Sequence, residues 1–217
     1  SVHGLNGMSP YASFLQNNPG EVDILFKELL IGVTSFFRDS LVWEFLERSV
    51  LPTMLGNLPN GHKFRVWCAG CSTGEEAYTL AMLLTEALSK LPASRSIELQ
   101  IFASDLSPDA IDFARRGRYP LSISGQLSPA RLERFFTLRD GSYVVKQTIR
   151  DKVLFAQHNL VLDPPFTKLD LLVCRNLLIY FDSQLQQRLF PLFHYSLRSW
   201  GMMLLGSSET VGNMEHL

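Results

Sequence analysis

The stretch Arg65-Val66-Trp67-Cys68-Ala69-Gly70-Cys71-Ser72-Thr73-Gly74-Glu75-Glu76-Ala77-Tyr78 decides the fold. An apolar, β-prone run ends in a turn of small residues at 69–74. A helical pattern follows, with Leu80, Leu83, Leu84, Ala87 and Leu88 on one face. Strand, tight loop and helix N-terminus in that order make a cradle for a nucleotide-like ligand. Gly70 and Gly74 let the backbone come close to it. The two glutamates bear on the ligand's charge. Glu75 and Glu76 repel a phosphate, and the lysine of a phosphate-binding P-loop is absent. A ligand with ammonium or sulfonium charge suits this turn, and S-adenosylmethionine carries both.

Downstream, the chain alternates. Apolar runs at 64–68, 99–103, 153–156, 169–173 and 202–205 read as strands, and 75–91, 107–117 and 184–197 read as helices. Continuous apolar strands separated by helices imply a parallel sheet covered on both faces. Tyr143-Val144-Val145 follows Asp140-Gly141, a hairpin turn signal, so a small antiparallel excursion is expected at about 136–152. Upstream, 11–30 reads as two helices split by Asn17-Asn18-Pro19-Gly20. A further amphipathic helix at 42–55 is interrupted by Pro52. The polar linker at 57–62 suggests a boundary, giving a helical unit at 1–61 and an α/β domain at 62–217.

The chain has 217 residues, is 46% hydrophobic and carries a formal charge of −1, enough for one sizeable core. That charge argues against a nucleic-acid partner. Arg115, Arg116 and Arg118 form one basic knot, which reads as a solvated helix end or as a docking patch. Three cysteines make no disulfide framework and fit a reducing cytoplasmic compartment. No apolar run reaches the roughly 18 to 20 residues of a membrane span, so no membrane insertion is expected, and no signal peptide is visible.

Several residues carry competing readings. Asp105 ends the second strand, where an acid suits two ribose hydroxyls, or else caps the next helix; beside the glycine turn, ribose binding is favoured. Cys68-Ala69-Gly70-Cys71 has a redox spacing, but packing of Cys68 in the strand is the simpler account. Asp163-Pro164-Pro165-Phe166 precedes the fourth strand, the wrong side for a base-amine methyltransferase signature, and reads as a rigid turn. Asn176 sits at that strand's carboxyl end. Tyr180 shares its face if the segment turns helical, or packs in the core. Arg38 in Thr34-Ser35-Phe36-Phe37-Arg38-Asp39 either pairs with Asp39 or Glu44, or covers a ligand carboxylate.

Together these residues resemble the CheR-type chemotaxis methyltransferases, which methylate glutamate side chains of receptors. The matches run in family order: 34–39, 70–76, Ala103-Ser104-Asp105, His158-Asn159-Leu160, Cys174-Arg175-Asn176-Leu177-Leu178-Ile179-Tyr180-Phe181-Asp182 and Gly206-Ser207-Ser208-Glu209. The wording of 163–166 and 191–195 is most similar to the subgroup fused to methylesterase and sensory domains. The resemblance implies a class I methyltransferase fold, doubly wound and mostly parallel. It implies S-adenosylmethionine as cofactor, S-adenosylhomocysteine as product, and a methyl-accepting chemoreceptor or other signalling protein as partner.

Residue by residue, the resemblance puts Thr34 and Arg38 on the cofactor, Arg38 near its carboxylate. It puts Glu75 on the amino group and Asp105 on the ribose. Asn159 and Leu160 flank the adenine, and Asn176 and Leu177 line the methionine side. Tyr180 stands near the transferred methyl, and Arg38 and Tyr180 are the catalytic candidates. The helical unit is shorter and less basic than the family pattern, which implies a different docking on its substrate. The sheet's final strands are expected beyond Leu217. A degenerate domain that senses the cofactor or scaffolds a larger signalling protein is the competing expectation.

Overall fold

The computed structural model describes residues 8–18, 20 and 34–210. The chain divides into two compact units, Ser1–Val33 and Thr34–Leu217. In the first, α1 (Met8–Asn17) ends at the expected turn signal. Asn18 closes it, donating its side-chain amide to the Phe14 carbonyl at 2.8 Å. The second helix expected before residue 30 lies outside the described residues.

The second unit opens on a segment at 34–39 that leads into α2 (Ser40–Phe45), a π-helical turn (Leu46–Val50) and α3 (Leu51–Gly56). The interruption expected at Pro52 does not occur. Proline lacks an N–H and its ring collides with the carbonyl four residues back. The wide π turn over those residues relieves both, so the helix continues. Trp43, Leu46, Leu51 and Leu55 bury the inner face in the same core as Phe64 and Val66 of the sheet. The division expected at 61/62 therefore does not coincide with the one between compact units at Val33/Thr34.

Next come β1 (Lys63–Ala69), α4 (Glu75–Ser89), β2 (Glu98–Asp105), α5 (Pro108–Arg116), β3 (Arg118–Pro120), α6 (Pro129–Phe135), β4 (Phe136–Arg139), β5 (Ser142–Val145) and α7 (Gln147–Arg150). The unit ends with β6 (Val153–Gln157), β7 (Leu169–Cys174), α8 (Ser183–Ser196) and β8 (Leu197–Leu205). Five strands pair in parallel in the order β6-β2-β1-β7-β8. The order reverses between β1 and β7, which opens a crevice beyond their carboxyl ends. The sheet separates two cores. Phe64, Val66 and Cys68 of β1 face the core covered by α4 and α5. Trp67 and Ala69 face the one covered by Phe190 and Phe193 of α8. This is the doubly wound, mostly parallel α/β arrangement that the resemblance implies.

Two boundaries differ from expectation. The antiparallel sheet, order β3-β5-β4, begins at Arg118 rather than near 136. Its first strand has three residues, too few to show alternation. Its hairpin turns on Asp140 and Gly141, both at positive φ (47° and 67°), as a two-residue loop requires. The last strand begins at Leu197 rather than 202, because Arg198 and Trp200 disguise its start. The basic knot is a helix end: Arg115 and Arg116 close α5, and Arg118 pairs with Asp140.

Candidate functional site

The turn between β1 and α4 is built by Asp105. Its Oδ2 accepts the Ser72 N–H at 2.8 Å and its Oδ1 the Ser107 N–H at 2.9 Å. Ser107, not Asp105, caps α5, accepting from Ala110 N. Asp105 thus shapes the glycine turn from the neighbouring strand. A carboxylate offers about four acceptor positions, so it retains capacity for two further donors such as ribose hydroxyls.

Gly70 and Gly74 have reasons internal to the fold. Gly70 has φ +75°, and a Cβ there would lie 2.7 Å from Leu177 Cδ2. Gly74 has φ +94°, and a Cβ would lie 2.8 Å from Ala114 Cβ. Tyr119 reinforces the second contact by donating its hydroxyl to the Thr73 carbonyl at 2.8 Å. Both glycines let the turn close against neighbouring elements. Ser72, between them, is also left-handed at φ 47°.

The two glutamates that open α4 have different fates. Glu76 forms a 2.8 Å ion pair with Arg175. Glu75 accepts the Thr73 hydroxyl at 2.6 Å and pairs with no cation among the described residues. Burial raises the pKa of both carboxyls, and the Arg175 charge opposes that rise only at Glu76. Glu75 is a partly buried carboxylate that a ligand ammonium would stabilise, and Asp105 keeps acceptors for a ribose. This donor and acceptor set fits S-adenosylmethionine.

The loop after β7 carries Asn176 in a left-handed conformation, φ 56°. Glu209 holds it. Its Oε1 accepts from Leu177 N (2.8 Å) and Leu178 N (2.7 Å), and its Oε2 from Asn176 N (3.0 Å) and Gly206 N (2.7 Å). Four donors saturate this carboxylate. Tyr180 ends a single 3₁₀ turn, Leu178–Tyr180, and is 53% exposed, which excludes its core reading. After β6, His158 N donates to the Asp105 carbonyl at 2.9 Å, bringing Asn159 and Leu160 to the same end of the sheet. Asn159 Oδ1 is engaged locally, accepting from Val161 N and Leu162 N. Asp163 closes that turn on Asn159 N, and Phe166 stacks on Phe102 at 4.6 Å between centroids. The segment at 163–166 is thus a rigid packed turn.

The Arg38 carbonyl accepts from Trp43 Nε1 (2.7 Å) and Arg175 (3.1 Å). Asp39 pairs with Arg175 instead of Arg38. Thr34 lies partly exposed at the start of the segment. Arg175 and the carboxylate saturation of Glu209 escaped the sequence reading as structural roles. Their partners lie 99 and 33 residues away, beyond any local pattern. Cys68, Cys71 and Cys174 are free and buried, and burial pushes each thiol well above its ordinary pKa. None is a redox or nucleophilic candidate. No group of three His, Cys, Asp or Glu among the described residues is arranged to hold a metal. No helix there is long and apolar enough to cross a membrane.

Comparison with known proteins agrees with this geometry. The family model described as CheR methyltransferase, SAM binding domain, matches residues 32–217. An uncharacterised 104.1 kDa protein of Rhodobacter capsulatus is 43% identical over 210 residues, 97% of this chain and 22% of that protein. The chemotaxis protein methyltransferase of Borreliella burgdorferi is 32% identical over 223 residues, covering 100% of this chain and 78% of its own length. The putative methyltransferase Cher3 of Pseudomonas putida is 36% identical over 203 residues, 90% of this chain and 71% of that one. The chain thus spans about a fifth of the first relative and most of the others. With the glycine turn, the strand-end acids and the doubly wound sheet in place, the chain belongs to the CheR methyltransferase family and comprises its S-adenosylmethionine-binding domain.

Proposed function

We propose that this domain transfers the methyl group of S-adenosylmethionine to glutamate side chains of a methyl-accepting chemoreceptor or related signalling protein. The observation that carries this reading is that no histidine or cysteine among the described residues at the carboxyl edge of the sheet is placed to act as a general base. Among the described residues there, His158 is buried with Nε2 set against the Pro164 carbonyl, and burial pushes the Cys71 and Cys174 thiols well above their ordinary pKa. A neutral nucleophile would need deprotonation, whereas a glutamate carboxylate is already ionised near neutral pH. The bound cofactor supplies an electrophilic methyl on a sulfonium. The residues then need only bind and align. Glu75 holds the amino group, Asp105 the ribose, Asn159 and Leu160 the adenine side, and Asn176 and Leu177 the methionine side. Thr34 and Arg38 cover the cofactor carboxylate. Exposed Tyr180, with Arg38, orients the incoming glutamate.

The size of the Rhodobacter relative, 104.1 kDa with 22% of it matched, supports a place for such a domain within a larger protein. Fusion to methylesterase and sensory domains is part of this proposal. Incubation with tritiated-methyl S-adenosylmethionine and receptor signalling helices tests the chemistry. A glutamyl methyl ester releases volatile label in mild base. Base-stable label would mean a different acceptor. Binding without any transfer would favour a cofactor-sensing scaffold. Tyr180→Phe should lower kcat and leave cofactor affinity unchanged.

A further inference from the structure

The Arg175 side chain is fully buried where three parts of the chain meet. Its Nη1 reaches Glu76 Oε2 at 2.8 Å, at the start of α4. Its Nη2 reaches Asp39 Oδ2 at 2.8 Å and the Arg38 carbonyl at 3.1 Å. The guanidinium lies 4.9 Å from the centre of the Trp43 ring, and Trp43 Nε1 bonds the same Arg38 carbonyl. The segment so gripped is strained: Phe37 and Asp39 both sit at positive φ, 53° and 59°. Non-glycine residues stay in that region only where their surroundings over-determine it. The segment is also held by two backbone donations, Phe36 N to Gln126 Oε1 and Phe37 N to Thr79 Oγ1, by Arg131 over the Phe37 ring at 4.3 Å and by Phe36 packed edge-on against Tyr119 and Phe136. Arg175 is the group that joins this segment to the residue beside Glu75.

We propose that Arg175 is a positioning residue for cofactor binding, acting through Arg38. It clamps the Arg38 backbone and Asp39 against the start of α4, so that the Arg38 side chain is presented over the glycine turn. By pairing with Glu76 it also leaves Glu75 as the uncompensated carboxylate of the pair. The inference rests on the reading that Arg38 serves the cofactor. Lysine cannot substitute. A planar fork reaches acceptors on two sides at once, whereas one ammonium on a flexible stem neutralises Glu76 without spanning to Asp39 and the carbonyl.

Calorimetric titration of S-adenosylhomocysteine into the full chain tests this with a double-mutant cycle of Arg38→Ala and Arg175→Lys. Arg175→Lys alone should weaken binding about tenfold or more, the scale of charge-assisted hydrogen bonds. In the Arg38→Ala background the same change should cost nothing further, because the group it acts through is gone. Equal losses in both backgrounds would overturn the inference, as would a lowered thermal midpoint with normal affinity per folded molecule. Wild-type affinity in Arg38→Ala itself would defeat the reading of Arg38, and the inference with it. If Arg175→Lys does not fold, Asp39→Asn gives the same cycle, since it removes the half-exposed partner of the clamp.

Discussion

Two aspartates mark the two ends of the parallel sheet. Asp170, at the start of β7, is fully buried. Its Oδ1 meets His62 Nε2 at 2.9 Å and Trp200 Nε1 at 3.3 Å, and its Oδ2 accepts Arg65 N at 2.8 Å. Arg198 Nε adds an ion pair at 3.5 Å. Asp105, at the end of β2, is partly exposed and accepts two backbone N–H groups. The same side chain is closed off by protein at one edge and left with acceptors at the other. Saturated carboxylates hold this molecule together, and unsaturated ones keep acceptors that a bound ligand would fill. Glu209 and Glu75 repeat the contrast within the carboxyl edge itself.

The largest effect should come from Asp170→Ala. Removing one partner of a buried charged cluster costs about 3 to 5 kcal/mol of stability. Thermal or urea unfolding should show that loss, while cofactor affinity per folded molecule stays at the wild-type value. Loss of affinity with an unchanged midpoint would break the comparison. Glu209→Gln should come next, at about 2 to 3 kcal/mol, because it turns an amide NH₂ toward N–H donors that now have no acceptor. Amide exchange should accelerate at 176–178 and 206. Unaltered protection there would mean that Glu209 is not the anchor of the β7 loop.

Asp105→Ala and Glu75→Ala should invert the pattern, each weakening cofactor binding by about 1.5 to 3 kcal/mol with a smaller stability change. Unchanged affinity in both folded variants would remove these residues from the site. The smallest effect is one of pH. Burial raises the Glu75 pKa above its usual value, so the folded state holds that proton more tightly than the unfolded state does. Ionised Glu75 is therefore a burden on stability at pH above its folded pKa, relieved as pH falls through it. A cationic ligand needs the ionised form. Binding should be strongest above the raised pKa, weaken as the pH falls through it, and release protons within that window. Titrations in buffers of different ionisation enthalpy measure the release, and Glu75→Gln should abolish it.

Much of this was legible in residue order. The 65–78 stretch announced strand, turn and helix because apolar periodicity and glycine placement act over a few residues. The Asp140-Gly141 hairpin was equally local. The short strand at Arg118–Pro120 was not, since its stability comes from pairing with β5, 22 to 26 residues on (Pro120 to Ser142 is the nearest pair, Arg118 to Val144 the farthest). The start of β8 was hidden for the same reason: Arg198 and Trp200 look like loop residues until Asp170 is placed beside them. Pro52 was read by its local rule, and the tertiary burial of Leu51, Met54 and Leu55 kept the helix going through a π turn.

The sequence by itself determined the parallel α/β order, the glycine turn and the acidic character of the ligand site, because each depends on neighbours in the chain. Only the tertiary structure decided which acids are spoken for. Glu75 and Glu76 are adjacent and chemically identical, and nothing in their order says that one meets Arg175 and the other Thr73. That choice follows from packing β7 against β1, which carries a guanidinium from 99 residues away to one face of a helix start and leaves the other face open.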